Sequence, residues 1–147
     1  MLTTERLLLR RPTADDADMR HHLEGWERNG IGKFVVVRRE DGVVVGRVGV
    51  QLLDPVTWEP AADSSGRPEL GWSLHARYWG HGYATEAAAA VRDWYAAGDR
   101  LISLIEPHNV RSQAVARRLG AEPAETISLG DGPHVAWVHP WAKMGGR

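Results

Sequence analysis

Cysteine is absent from the 147-residue sequence. That excludes a disulfide framework, a thiol nucleophile and a cysteine-ligated metal. Charge of one sign is also missing: 18 Lys and Arg stand against 19 Asp and Glu. No basic stripe stands out, so no nucleic-acid partner is expected. No apolar run reaches the length of a membrane span, so no membrane partner is expected either. The start carries no signal-type segment, which leads to the expectation of a cytoplasmic protein. Phenylalanine occurs once but tryptophan seven times. Most of the aromatic surface is therefore indole, suited to core or cleft walls. Histidine is plentiful, but His21-His22-Leu23-Glu24 lacks an i, i+4 ligand pair, and His134 and His139 lack an evident third ligand. No metal is expected.

What is present reads as one α/β domain over 1–147. Residues 6–12 form a first strand stopped by Pro12. Thr13 with Asp16 three residues on predicts a helix cap, and Met19, Leu23 and Trp26 predict a helix over about 15–27. Two strands flank Asp41-Gly42 as a hairpin, and residues 54–68 form a long loop. A strand at 69–74 precedes a helix ending near Ala97 at Gly98. A strand at 101–105, a helix capped by Asn109 and stopped by Gly120, and two strands about 130–132 complete the chain. The parallel crossover is strand–helix–strand over 69–105.

The segment "RYWGHGYATEA", residues 77–87, sits at the first turn of that crossover. The first amides of a helix have no internal partner and carry partial positive charge. Glycines ahead of them permit positive φ and close approach of a ligand. Gly80 and Gly82, with Arg77 nearby, therefore suit a pyrophosphate. The same glycines would also serve a tight turn with no ligand. There is no Gly-Lys-Ser/Thr P-loop, and Thr85 breaks the dinucleotide pattern Gly-X-Gly-X-X-Gly.

The stretch from Arg77 to Ala84 resembles the Arg/Gln-X-X-Gly-X-Gly/Ala signature of the GNAT superfamily of acetyl-CoA-dependent N-acetyltransferases. The strings "ELGWSLHARYWGHGYATEA", "TTERLLLRRPTADDA" and "EPHNVRSQAVARRLGA" resemble its ribosomal-protein-alanine N-acetyltransferase branch. The resemblance implies a mixed central sheet, mostly antiparallel, with a splayed parallel pair forming the acetyl-CoA cleft between flanking helices. It implies acetyl-CoA as cosubstrate and direct transfer to a primary amine, either a protein N-terminus or a small molecule. It places Trp72, Ser73 and Leu74 along the pantetheine arm. Arg77, Trp79, Gly80, His81, Gly82, Tyr83 and Ala84 would hold the pyrophosphate. Asn109 would contact the pantetheine arm, although it would equally serve as a plain helix cap. Ser112 would donate to the sulfur, or bond back to the cap. Glu69 would relay the amine proton, or stand as a strand-end carboxylate; Glu106 and His108 are further candidates. A homodimer is compatible with the resemblance.

Two departures matter. Many members carry a tyrosine as acid where this chain has Ala116. Residues 13–32 leave room for one helix where two are usual, so this first helical region is shortened and the acceptor wall incomplete. Trp26 and Trp58 are the expected substitutes for that wall. The alternative reading is a non-catalytic acyl-CoA-binding or regulatory module of the same fold.

Overall fold

The computed structural model describes residues 1–61, 63, 65–95 and 101–140. Strands β1 (Leu2–Thr3) and β2 (Leu7–Arg10) lead through a 3-10 turn (Ala17–Met19) to helix α1 (Arg20–Asn29). Strands β3 (Lys33–Arg38), β4 (Val44–Leu53) and β5 (Arg67–Leu74) follow. A second 3-10 turn (Ala76–Tyr78) enters α2 (Tyr83–Trp94), then come β6 (Ile102–Ile105), α3 (Val110–Arg118), β7 (Glu122–Leu129) and β8 (Gly132–Val138). The strands form one sheet in the order β1-β2-β3-β4-β5-β6-β8-β7. Neighbours are antiparallel except β5 and β6, which run parallel. This is the mixed, mostly antiparallel sheet with a splayed parallel pair that the sequence led us to expect.

The β3–β4 turn follows its glycine signal: Gly42 has φ +74°, and Arg38 grips Asp41 through Nε at 3.0 Å. Alternation along β3 turns Phe34 and Val36 into the main core and Lys33 and Val35 to the opposite face. The core lies beneath α2, whose small residues Ala87, Ala88 and Val91 pack on Leu7, Leu9, Val48 and Leu70. Burying each such Leu or Val contributes about 1.5–3 kcal/mol. Glu86 joins the chain start to this helix. It accepts from Thr4 Oγ1 at 2.5 Å, from the Arg6 amide at 2.9 Å and from Arg6 Nε at 2.7 Å.

The first helix departs from expectation. Thr13 donates through its amide to Asp16 at 2.6 Å, but Asp16 is also gripped by Arg10 at 2.9 and 3.0 Å. The pair therefore closes a turn against β2, and α1 starts at Arg20 and not near residue 15. Helix α1 ends on Gly30 at φ +70°. The strand β1 was not foreseen; two residues give no periodicity to read. The expected end of α2 at Gly98 lies outside the described residues. Among the described residues no helix is long and apolar enough to cross a membrane.

Candidate functional site

Strands β5 and β6 share a single registered pair, Glu69 with Ile102, and then part. Side chains close the fork where the ladder stops. Glu69, 7% exposed, accepts from the Leu104 amide at 3.1 Å. Ser103 donates to the Leu70 carbonyl at 2.5 Å. Its hydroxyl oxygen then accepts from His139 Nε2 at 2.7 Å, which leaves His139 Nδ1 without the proton. Buried, with Arg92 nearby, His139 is lowered to about 4. The fork is thus stitched by a carboxylate and by a hydroxyl backed by a neutral imidazole.

Outside the fork, α2 and α3 border a cleft of about 1090 Å³. Gly80 and Gly82 have φ +85° and +79°. The first bond of α2 runs from the Glu86 amide to the Gly82 carbonyl. The amides of 80–85 therefore have no backbone acceptor among the described residues. A Cβ on Gly80 would meet nothing within 4 Å, so space for a ligand lies directly against the backbone. Thr85 Oγ1 is buried without a partner and Thr85 lines the same cleft. At the mouth the Arg111 guanidinium lies 3.5 Å from the centroid of the Trp79 ring, and Trp79 Nε1 donates to the Leu74 carbonyl at 3.1 Å. Such a donor-rich helix entrance suits a diphosphate, and the stacked Arg–Trp pair offers cationic and planar surface beside it.

A smaller cavity of about 150 Å³ lies in the fork, lined by Glu69, Trp72, Ser103, Ser112, His134 and neighbours. It shares Glu106 and Asn109 with the large cleft. The expected site residues therefore divide. Leu74, Trp79, Gly80, Gly82, Tyr83 and Ala84 line the cleft. Glu69, Trp72 and Ser112 line the fork, and Asn109 stands at the junction. Asn109 is also a true cap, its Oδ1 accepting from the Ser112 amide at 3.1 Å. The Ser112 hydroxyl has no hydrogen-bond partner among the described residues.

Other expected residues fall outside these two cavities. Ser73 lines a separate 150 Å³ cavity with Asp16, Asp18, Arg47 and His75. Arg77 and His81 are exposed, and His81 stacks on Tyr83 with ring centroids 5.4 Å apart. Trp26 is a core residue, 5% exposed, with its ring edge-on to Phe34 and Nε1 donating to the Lys33 carbonyl at 2.9 Å. Trp58 sits at φ +63° in the loop between β4 and β5 and lines neither cavity. The structure does not bring these two indoles to the fork. The reason for Trp26 is its neighbour Gly32, which clears room for the indole against the start of β3.

Sequence reasoning missed Thr85, Ser103 and the pairing of Trp79 with Arg111. It singled out His134 only as a metal ligand without partners. In the structure Glu106, Asp131 and His134 bring one ligand-type atom each within 4.8 Å of one another. The signal was the alternation of β8, which becomes informative only once β8 is known to pair with β6.

A family model described as "Acetyltransferase (GNAT) domain" matches residues 10–122, more than half of the chain. The uncharacterized protein YkkB of Bacillus subtilis (strain 168) is 40% identical over 63 residues, 40% of this chain and 36% of that protein. The match thus spans well under half the length of this curated relative. An acetyltransferase structure from Agrobacterium tumefaciens str. C58 superposes with TM-score 0.76 at 27% identity, covering 95% of this chain and 93% of that one. A ribosomal L7/L12 alpha-N-protein acetyltransferase shares the fold, with TM-score 0.72 at 15% identity over 94% of this chain and 95% of that one.

Proposed function

Because the chain belongs to the acetyltransferase (GNAT) domain family, we propose that it transfers the acetyl group of acetyl-CoA directly to a primary amine. The observation that carries this reading is the row of partnerless amides over 80–85 beside a cleft that shares Glu106 and Asn109 with the fork cavity. Pyrophosphate at that helix entrance would leave the pantetheine arm running toward Trp72 and the thioester in the fork. Ser112, on the fork wall with an uncommitted hydroxyl, would donate a hydrogen bond to the departing sulfur. Ala116 is fully buried beneath Ile105 and Trp137, so the tyrosine that many members use has no counterpart at that position. Glu69 is engaged by the Leu104 amide and, at 3.4 Å, by Gln51 Nε2. That engagement supports a positioning role in holding the fork more than a role as base.

The acceptor is an amine that reaches the fork. A protein N-terminus is one class, supported by the fold shared with a ribosomal-protein acetyltransferase; a small amine is the other. A single α-helix precedes β3, which supports an open acceptor side suited to a peptide end. The test is thiol release from acetyl-CoA with spermidine, free lysine, an aminoglycoside and peptides starting with Ala or Ser. Release that requires one of these amines, with the acetylated product seen by mass spectrometry, is the expected result. Acetyl-CoA binding with no release from any amine would contradict transfer and favour a binding module.

A further inference from the structure

The fork has two faces, and alternation assigns its residues to them. On one face Ile105, Ala116, Trp137 and Trp72 pack together beneath α3. Val135 packs on that same cluster, so its strand neighbour His134 points to the opposite face. Phe34 lies in the core under α2, so its neighbour Lys33 also lies on the opposite face. There Lys33 stands against Gly71, near the Glu69 carboxylate. The cofactor cleft is on the helix face. A nucleophile meeting the thioester must therefore come through the fork from the other side.

His134 stands at that entrance. It is 8% exposed and lines the fork cavity with Glu69, Trp72 and Ser112. Its Nδ1 is 3.2 Å from the Gly132 carbonyl. A carbonyl only accepts, so Nδ1 carries the proton and Nε2 keeps the lone pair. The Asp131 carboxylate lies 3.9 Å from Nδ1, and the Glu106 carboxylate belongs to the same cluster. Three carboxylates, from Asp131, Glu106 and Glu69, thus face or flank this imidazole, with Lys33 beyond Glu69. The exposed Asp131, beside the Nδ1 proton, offers that proton a way to solvent.

We infer that His134 is the catalytic base on the acceptor side of the fork, taking the proton from the ammonium of the incoming amine. This rests on the acetyl-transfer reading above. The ammonium gives one proton to Nε2. The freed lone pair forms the C–N bond at the thioester carbonyl, and the C–S bond breaks. The nitrogen loses its second proton as the amide forms, and the thiolate takes up a proton to leave as CoA thiol. The first proton passes from His134 to solvent past Asp131.

The test uses the full chain, acetyl-CoA and whichever amine the wild type accepts. His134→Gln and His134→Ala should lower kcat about 100-fold or more. Their Kd for acetyl-CoA should stay within about twofold, because the cofactor lies on the other face. Added imidazole should restore part of the rate to His134→Ala. Asp131→Asn, at an exposed site, should lower kcat by a smaller factor while leaving the fold intact. Either His134 variant retaining kcat within about threefold would overturn the inference and leave acetyl transfer standing. A wild type that binds acetyl-CoA and acetylates no amine would overturn both.

Discussion

The Glu69 carboxylate accepts a hydrogen bond from the Leu104 amide across the point where β5 and β6 part. A parallel ladder would normally satisfy that amide with a carbonyl. Here a buried side chain takes its place, so the strands can separate without orphaning a buried donor.

Glu69→Ala should therefore destabilise the fold by about 1–3 kcal/mol, the cost of an unsatisfied buried donor. Glu69→Gln keeps an acceptor and should recover most of the loss. Urea unfolding midpoints of the two variants check this. Equal midpoints would show that the contact does not hold the fork.

Two histidines make stability depend on pH. His139 and His22 are each lowered to about 4, in both cases mainly by burial. Nearby cations add to this: Arg92 for His139, and His21, Lys33 and Arg47 for His22. The unfolded chain binds these protons near the ordinary histidine value of about 6.5. Between about 6.5 and 4 the unfolded state is thus the more protonated, and stability falls as pH falls through that window. His139→Gln should flatten that slope, as read from thermal midpoints between pH 7 and 4. An unchanged slope would contradict a neutral, buried His139.

Lys33 is 8% exposed and its ammonium has no hydrogen bond or ion pair within reach among the described residues. Burial lowers its pKa, and Arg47 adds to that, while the Glu69 charge partly opposes it. A folded value below the unfolded one means that stability rises with pH up to the ordinary lysine range. Lys33→Met keeps the length of the side chain. It removes a buried charge that has no close ion partner among the described residues and should raise stability at pH 7 by about 1–3 kcal/mol. A loss of stability on that change would mean that the ammonium interacts with Glu69 strongly enough to offset its desolvation.

The legible parts of the molecule were those set by local geometry. Asp41-Gly42 made its hairpin, and Gly80 and Gly82 took positive φ ahead of α2, because only neighbouring residues decide such turns. Asn109 capped α3 for the same reason. What the sequence hid depends on distant partners. Arg10 redirected Asp16 from a helix cap to a strand-side turn. Trp26 looked like a wall and became core because Gly32 and Phe34 receive it. His134 joined the fork because β8, and not β7, lies beside β6. Ser103 reads as an ordinary strand serine until Leu70 and His139 are beside it.

Calorimetric titration of acetyl-CoA into wild type and Gly80→Glu tests most directly the proposed binding of the pyrophosphate at the turn before α2. Gly80 at φ +85° has open space where a Cβ would stand, so a glutamate there strains the turn and sets a negative charge against the phosphates. One site is expected on the wild type and an affinity weakened about 100-fold or more in the variant, with circular dichroism unchanged. Equal affinity in the two proteins would contradict pyrophosphate binding at this turn and place acetyl-CoA elsewhere.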